Sequence, residues 1–356
     1  MKLKLEEFLP AILLFLFLTG CNHEVKSPVT CGIYGHPGEF WEKGYGLNEL
    51  GINAVFVHSG SIDSALIDRA KSEGMKIYAE FATLNGKGYV ETHPEAWAIN
   101  NYGEKAEAAS WFMGVCPTNR EFREYRKEQL IALLNQFDLD GVWMDYVHWH
   151  AQFEEPEPIL PETCFCPNCL ETFRNFSGIL IPEGNIPDQA AWILENHQTA
   201  WRDWRCSVIA GWARDIKSIV KKRNPDALLG LYHCPWNDEE FDGARRRILG
   251  LDYDSLRNII DVFSPMVYHG RMGREPEWVL ENINWFTSRL KISAGEYPKV
   301  WPIVQAYDDP HPISREEFAA VMRAGLSAPC SGVMMFTARS VAQDEGKIKV
   351  IKEIYN

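Results

Sequence analysis

Ala54-Val55-Phe56-Val57-His58 and Lys76-Ile77-Tyr78-Ala79-Glu80 are two short runs rich in β-branched and aromatic residues. The chain between them, residues 61–74, has the apolar spacing of an amphipathic helix. A strand, a helix and a second strand in this order predict a βαβ unit, in which both strands lie parallel in one sheet.

The same alternation runs from one end of the chain to the other, with further helical patterns at residues 119–137 and 190–223. The predicted strands are 30–36, 54–58, 76–80, 141–145, 227–233, 262–269, 300–305 and 332–336. Eight βα units favour an α/β fold of the closed (β/α)8 type, a TIM barrel. A doubly wound sheet is the rival fold, but no G-x-G-x-x-G fingerprint follows the first strand.

Two segments between predicted strands are long for barrel connections. They cover residues 81–141, after the third strand, and 148–226, after the fourth. A (β/α)8 barrel needs about 250 residues, and its enzymes hold their active sites at the C-terminal ends of the strands. We therefore expect long loops after strands three and four, on the active-site face. Glu154-Glu155-Pro156-Glu157-Pro158 is predicted to be a turn-rich part of the second loop.

The N-terminus has the pattern of an export signal. Lys2 and Lys4 precede an apolar run, 8–18, that is too short to span a bilayer but has the length of a signal-peptide core. The run ends in Leu18-Thr19-Gly20-Cys21, which resembles the lipobox of bacterial lipoproteins. The resemblance implies a signal peptide at 1–20, a lipidated Cys21 and a lipid-anchored location at the bacterial cell envelope, in the outer membrane or on the cell surface. Residues 21–29 are then expected to form a polar tether, and residues 30–356 the single barrel domain. The alternative is a buried N-terminal helix.

The composition excludes two classes of protein. The 356 residues are 46% hydrophobic and 12% aromatic, which is enough to bury a large core and excludes general disorder. The net charge of −13 argues against a nucleic-acid partner, because phosphates require clustered Lys and Arg. No segment after the N-terminal run is long and apolar enough to span a membrane.

Polar side chains are frequent where the predicted strands end, and such side chains point into the mouth of a barrel. The residues expected to form ligand subsites are His58, His148, His233, Trp236, Tyr268, Gln305 and Arg339. Further aromatic residues near the strands are Trp111, Trp143, Trp149 and Trp301. Aromatic rings beside polar groups commonly hold sugars, by stacking on the apolar faces and hydrogen-bonding the hydroxyls. The histidines offer an alternative, a catalytic metal, but no local pair of them forms a ligand set.

Asp145 is the strongest candidate for a catalytic residue. The apolar residues that precede it are expected to be buried, which leaves its carboxyl group at the top of the fourth strand. Glycoside hydrolysis usually needs two carboxyl groups, one on each side of the scissile bond. The partner stays open between Glu80, Asp308 and the acidic run 238–240. If Asp145 alone is essential, an N-acetyl group of the substrate, positioned by Tyr268, could supply the nucleophile.

Three of the nine cysteines, Cys164, Cys166 and Cys169, fall within six residues. This spacing suits one tetrahedral metal ion better than a disulfide network, and Cys116, in the other long loop, is the best candidate for the fourth ligand. A closed site of four thiolates would be structural. The alternative is a disulfide with free thiols, which export would favour.

Two groups of motifs resemble known families. Val115-Cys116-Pro117 together with Cys164-Phe165-Cys166-Pro167-Asn168-Cys169 resembles the zinc-binding segment of glycoside hydrolase family 42 β-galactosidases. The resemblance implies that Cys116, Cys164, Cys166 and Cys169 bind structural zinc. The catalytic glutamates of that family do not match, because this chain has Asp145-Tyr146 at the first place and Gln305-Ala306-Tyr307-Asp308 at the second. The galactosidase mechanism is therefore not carried over.

Asp140-Gly141-Val142-Trp143-Met144-Asp145 and Ser264-Pro265-Met266-Val267-Tyr268 resemble segments of uncharacterised glycosyl-hydrolase-like barrels of bacterial surface proteins. Together the patterns predict a surface-anchored glycoside hydrolase that acts on a poly- or oligosaccharide. Asp145 would act with Glu80 or Asp308, beside structural zinc and without an organic cofactor. The alternative is a carbohydrate-binding lipoprotein whose barrel has lost catalysis.

Overall fold

A computed structural model describes residues 29–108 and 112–356. The predicted signal peptide and the lipidation of Cys21 lie outside these residues and stay predictions. Every strand pairing in the sheet is parallel. The strands are β1 Thr30–Tyr34, β2 Ala54–His58, β3 Lys76–Ala82, β4 Gly141–Asp145, β5 Leu228–His233, β6 Val262–Val267, β7 Lys299–Val300, β8 Ile303–Gln305 and β9 Gly332–Phe336. The sheet closes because β9 pairs with β1 and β5 pairs with β6, which confirms the predicted TIM barrel.

The seventh barrel strand is divided into β7 and β8 by Trp301 and Pro302. Proline has no amide hydrogen to give to the ladder, so regular pairing stops there. The backbone N–H of Trp301 still donates to the carbonyl of Phe263, at 2.9 Å, and both segments pair with β6. The two pieces therefore fill one position of an eight-stranded barrel.

Helices surround the barrel and follow most of the strands. They are α1 Gly38–Glu42, α2 Ser64–Ser72, α3 Lys87–Thr92, α4 Arg120–Gln136, α5 Pro167–Ser177, α6 Ile186–Asn196, α7 Gln198–Arg223, α8 Glu240–Arg247, α9 Tyr253–Leu256, α10 Glu277–Arg289, α11 Arg315–Gly325, α12 Ala338–Ala342 and α13 Glu345–Tyr355. The predicted helix 190–223 is two helices that break at His197. No Gly or Pro marks this break, so the periodicity did not reveal it. None of the described helices is both long and apolar enough to cross a membrane.

The two long loops are confirmed. The first connects β3 to α4 and contains α3, and the second connects β4 to β5 and contains α5, α6 and α7. The bridges Asn100↔Thr163 and Trp97↔Val115 add β-type contacts in this region, the first of them between the two loops. The loops therefore form one layer over the C-terminal ends of β3 and β4.

Aromatic rings fill the interior of the barrel. Trp143 stacks on Trp301 with ring centroids 5.4 Å apart, and Phe56 stacks on Tyr78 at 4.7 Å. The indole N–H of Trp143 donates to the hydroxyl of Ser264, at 3.0 Å, so its polar atom is satisfied inside the core. Trp143 and Trp301 are therefore core residues and do not stand at the mouth as sugar platforms.

The interior packing yields a stability prediction at Gly230. A Cβ atom at this position would lie 2.1 Å from the indole of Trp143, inside van der Waals contact. We expect Gly230→Ala to lower the free energy of unfolding by about 3 kcal/mol, at the upper end of overpacking costs, because Trp143 is clamped by Trp301. Urea unfolding followed by tryptophan fluorescence measures the change.

Gly88→Ala in α3 is the matched control, because a Cβ atom there meets nothing within 4 Å. Since alanine favours a helix over glycine, this variant should be as stable as wild type or more stable, by up to about 1 kcal/mol. Equal stability of both variants would contradict the packing described for the barrel interior.

Candidate active site

A cavity of about 210 Å³ opens among the C-terminal ends of the barrel strands. Its walls come from six of the strands and from the loops after β4, β6 and β8. The lining residues are Tyr34, Asp145, Tyr146, Glu154, Tyr232, Met266, Tyr268, Arg271, Ile303, Tyr307 and Phe336. This is the face on which TIM-barrel enzymes carry their active sites, and we call it the carboxylate cavity.

Asp145 is the last residue of β4 and reaches the cavity, as the sequence predicted. One carboxyl oxygen accepts the backbone N–H of Tyr146, at 2.8 Å. Tyr146 has a φ of 54°, which is unusual for a residue other than glycine. This sharp turn directs the chain away from the strand immediately after the carboxylate, and strained backbone of this kind is concentrated at functional sites.

Glu80 lies next to Asp145 but inside the barrel wall, where it is 1% exposed. One carboxyl oxygen accepts the hydroxyl of Tyr34 at 3.3 Å, and the other has no hydrogen-bond partner among the described protein atoms. Burial raises the pKa of Glu80 to about 7, against the lowering effects of the Tyr34 hydrogen bond and of Arg126. Glu80 does not itself line the cavity.

Glu154 is the site residue that the sequence reasoning missed. It lies in the segment interpreted as a turn-rich loop, yet its carboxyl group faces the carboxylate cavity. Burial, and after it the negative charge of Asp145, raise the pKa of Glu154 to about 7, while Arg271 acts in the opposite direction. The usable signal was its position in the long loop after β4, on the active-site face.

The three carboxyl groups form one electrostatic unit. Burial and the charge of Glu80 raise the pKa of Asp145 well above its ordinary value, and Asp145 in turn raises that of Glu154. Burial and the repulsion between neighbouring negative charges thus favour the protonated forms of these groups, and the ionisation of one opposes that of the next. A proton donor and a proton acceptor in one cavity is the arrangement that acid–base catalysis requires.

Tyrosine side chains form most of the remaining wall. The ring of Phe336 lies 4.8 Å from that of Tyr34 and 5.1 Å from that of Tyr268, so the three pack as one surface. Tyr232 approaches Tyr34 edge-on at 5.8 Å. These side chains present flat apolar faces and hydroxyl groups together, which matches the two kinds of surface on a sugar. Tyr268 is therefore the predicted subsite residue that the structure places in the cavity with Asp145.

Asp308 and Arg339 are placed elsewhere. Asp308 pairs with the buried ammonium group of Lys347 at 2.8 Å and accepts the backbone N–H of Ile313. Arg339 is 75% exposed and pairs with Glu39 on the surface. Neither lines the carboxylate cavity, because each is held by a partner outside it.

The acidic run 238–240 is also engaged away from the cavity. Asp238 pairs with Arg245 and Arg289, and Glu240 pairs with Arg274. These ion pairs hold the loop after β5, so this run does not bring a carboxyl group beside Asp145.

Gln305 is fully buried just behind the cavity. Its side-chain oxygen accepts the backbone N–H of Arg271 at 3.0 Å, and its nitrogen donates to the carbonyls of Tyr307 and Asp309. Arg271 and Tyr307 both line the cavity. Gln305 therefore orients two walls of the site instead of touching a ligand.

The histidines occupy different environments. His148 is buried, and together with Asp145 and Glu154 it lines a small space of about 10 Å³. A space of this volume has room for roughly one water molecule. Burial lowers its pKa to about 4. His233 packs behind the barrel wall against Tyr253, whose hydroxyl contacts its Nδ1 atom at 2.8 Å. His58 is exposed and faces a separate groove. The structure therefore does not bring them together as a metal site.

Trp149 and Trp236 are also buried, the latter against Phe241 at 4.4 Å between ring centroids. Trp236 thus packs the loop after β5, and Trp111 lies outside the described residues. The tyrosines take the place in the cavity that we expected tryptophans to fill.

The four cysteines of the predicted metal site converge in the two long loops. Cys116 comes from the first loop, and Cys164, Cys166 and Cys169 come from the second, at the start of α5. All four are buried, and their sulfur atoms lie within 4.8 Å of one another. Cys116 is 3.7 Å from Cys166 and 3.4 Å from Cys169 between sulfurs. This group could therefore hold a metal ion.

Comparisons with known proteins bear on the fold. No protein-family model matches the chain, and no curated protein matches it in sequence. The glycoside hydrolase domain of PgaB (BpsB) from Bordetella bronchiseptica is similar in structure, with a TM-score of 0.69 and 13% identity over 92% of this chain and 99% of that one. This domain shares the TIM-barrel fold with this chain.

Two β-galactosidases are also similar in structure. The enzyme from the psychrophilic Marinomonas ef1 has a TM-score of 0.65 and 12% identity over 92% of this chain, and this chain spans 59% of its length. A GH42 β-galactosidase, Gan42B, has a TM-score of 0.64 and 10% identity over 93% of this chain and 56% of its own. Both enzymes share the barrel fold with this chain.

The burial of Glu80 predicts a pH dependence of stability. The folded state keeps the proton of Glu80 up to a pKa of about 7, whereas the unfolded chain releases it near 4.5. The folded state therefore binds more protons between these values, and its stability falls as the pH rises through them. The loss levels off about one pH unit above the folded-state pKa and is on the order of 3 kcal/mol.

We expect Glu80→Gln to remove part of this slope, because an amide cannot ionise. The variant should be more stable than wild type at pH 8 and close to wild type at pH 5, in urea unfolding at both values. Glu91→Gln, at an exposed position in α3, is the control and should leave the slope unchanged. A Glu80→Gln variant with the full wild-type slope would contradict this assignment.

Proposed function

We propose that this protein is a glycoside hydrolase that acts on a poly- or oligosaccharide in the carboxylate cavity. The observation that carries the proposal is the position of Asp145 and Glu154 in the wall of one cavity, both with raised pKa values. Two carboxyl groups facing one space are the usual requirement for cleaving a glycosidic bond. The glycoside hydrolases that share this fold support the same assignment.

In this proposal one of Asp145 and Glu154 is the general acid, and the other is the base or nucleophile. One of them, still protonated, donates its proton to the oxygen of the departing sugar. The other, ionised, attacks the sugar or activates a water molecule. Glu80 does not touch the substrate and acts as a positioning residue, since its charge raises the pKa of Asp145.

The ligand would lie against the tyrosine walls. Tyr34 and Tyr268 flank Phe336 and offer stacking faces, while the hydroxyls around them suit the rim of a sugar ring. Arg271 contacts Glu155 at 2.6 Å and Asp309 at 2.9 Å, so it ties the Glu154 loop to the loop after β8. This tie keeps Glu154 directed at the substrate.

Hydrolysis should depend on both cavity carboxyl groups. We expect reducing-end release from at least one member of a panel of α- and β-linked glycans. Asp145→Asn and Glu154→Gln should each lower kcat by roughly 10²- to 10⁴-fold, the usual contribution of a general acid or base. Release is measured with a reducing-sugar assay on the full chain.

Asp138→Asn and Glu157→Gln are matched controls, because both side chains lie outside the cavity. Both should keep wild-type rates. Binding of glycans without release by wild type would replace this proposal with that of a carbohydrate-binding barrel. Retention of activity in Glu154→Gln would remove Glu154 from the mechanism.

We further propose that the four-cysteine group binds structural zinc. Zinc–sulfur bonds of about 2.3 Å place the sulfurs of a tetrahedral site about 3.8 Å apart, close to the spacing seen here. The backbone N–H groups of Ile99 and Cys169 point at the sulfurs of Cys164 and Cys166, at 3.2 and 3.4 Å, and would stabilise thiolates. A closed set of four protein ligands leaves no open position for chemistry, so the ion would hold the two long loops together.

The purified protein should therefore contain one zinc ion per chain by mass spectrometry. Cys166→Ser should lower the zinc content and reduce the melting temperature by about 5 °C or more, because binding energy at a structural site is folding energy. Cys330→Ser, at a cysteine outside the group, is the control and should do neither. A metal-free protein in which thiol titration shows these cysteines as disulfides would contradict the proposal.

A further inference from the structure

A second concave surface lies on the outer side of β2 and β3, against α4. It is an open groove of about 810 Å³, lined by residues from 58–62, 81–89 and 122–137. We call it the α4 groove. Its volume is in the range of ligand sites, which is roughly 300–1,000 Å³. The mechanism proposed above uses none of its side chains.

The charge of the α4 groove is opposite to that of the protein. The cations Arg126 and Lys87 line it, and no Asp or Glu is among the described residues of its wall. The chain as a whole has a net charge of −13. A basic groove on an acidic protein is suited to a negatively charged ligand that is small enough to avoid the surrounding surface.

Arg126 is held in place before any ligand arrives. Its guanidinium group donates to the carbonyl of Thr83 at 3.2 Å and to the side chain of Gln129 at 2.5 Å, and it lies 4.6 Å from the ring of Phe81. Such fixed guanidinium groups recognise carboxylates and sulfates well, because little side-chain freedom is lost on binding.

His58 adds a second donor beside Arg126. Its Nδ1 atom accepts the backbone N–H of Gly60 at 3.1 Å, so the neutral ring carries its proton on Nε2. Burial, and after it the positive charge of Arg126, lowers the pKa of His58, and both side chains line the groove. This exposed histidine is the one that the sequence analysis assigned to a subsite.

An aromatic platform forms one wall of the α4 groove. Tyr89 stacks on His93 at 4.1 Å and lies 5.1 Å from Tyr125. Tyr125 is 41% exposed, which is high for a large aromatic side chain. Exposed rings beside fixed polar donors bind sugars by stacking.

We infer that the α4 groove binds a short segment of an acidic glycan, one that carries uronate or sulfate groups. The inference rests on the proposed function in one respect, since it takes the ligand to be a carbohydrate. Arg126 and His58 would bind the acidic group and Tyr125 would stack on a sugar ring. A long polyanion such as nucleic acid fits less well, because the acidic surface around the groove repels it.

The α4 groove is one strand away from the carboxylate cavity. Ala82 lines the groove and pairs in strand register with Asp145. Neighbouring strands are about 4.8 Å apart, and successive side chains point to opposite faces, so Glu80 faces the interior while Phe81 packs beneath Arg126. The groove and the carboxylate cavity therefore lie on the two sides of β3.

Calorimetry on the full chain tests the site, with Asp145→Asn used to prevent turnover. The probes are tetragalacturonate, a sulfated oligosaccharide of equal length and a neutral galacto-oligosaccharide. We expect an acidic probe to bind, Arg126→Gln to weaken it at least tenfold, and Tyr125→Ala to weaken it several-fold. Preference for the uronate or for the sulfated probe identifies the acidic group.

Arg323→Gln, at an exposed arginine of α11, is the control and should bind as wild type does. Tyr125→Ala is a second test that does not depend on whether the Arg126 variant folds. The side chain of Tyr125 is 41% exposed, so we expect its removal to leave the fold intact. Binding that is unchanged in both variants, or no binding of either acidic probe, would overturn the proposal. Since hydrolysis is not measured, groove binding can succeed or fail independently of the catalytic proposal.

Discussion

The closure of the barrel is the constraint on which the site depends. A parallel sheet places all strand C-termini at one edge, but only the pairing of β9 with β1 and of β5 with β6 brings them around one space. Tyr34, Asp145, Tyr232 and Phe336 lie far apart in the chain, yet each stands at or near the end of its strand and faces that space. The cavity thus results from the closure of the barrel and from the alternation of side chains along each strand. Its chemistry is set by the residues that stand at the C-terminal ends of the strands and point inward.

The two long loops supply what the strands cannot. Glu154 has no strand beneath it and reaches the cavity because its loop is held on both sides. Arg271 ties it to the loop after β8, and the four-cysteine group ties the rest of the same loop to the segment before α4. A carboxylate on an unsupported loop would spend little time at the geometry that catalysis needs. In the proposed mechanism the four-cysteine group would act only through the position of the loop, because it lies outside the cavity.

The sequence predicted the parts of this structure that depend on local patterns. Alternating strand and helix patterns led to the barrel, and the apolar run before Asp145 located the end of β4. Residues whose role depends on three-dimensional packing were not predictable in the same way. His233 and Tyr268 both end strand-like runs, but one packs behind the wall and the other lines the cavity. Glu154 was hidden because a Glu- and Pro-rich loop has the same composition whether or not one carboxyl group is buried.

The two faces of β3 are electrostatically connected. Arg126 on the outer face lowers the pKa of Glu80 on the inner face, and Glu80 raises that of Asp145. An anion bound to Arg126 would weaken the first effect, so the pKa of Glu80 would rise and Glu80 would hold its proton more firmly. With less charge on Glu80, the pKa of Asp145 would fall. Occupancy of the α4 groove would then favour the ionised form of Asp145, and by linkage the ionisation of the cavity would alter affinity in the groove.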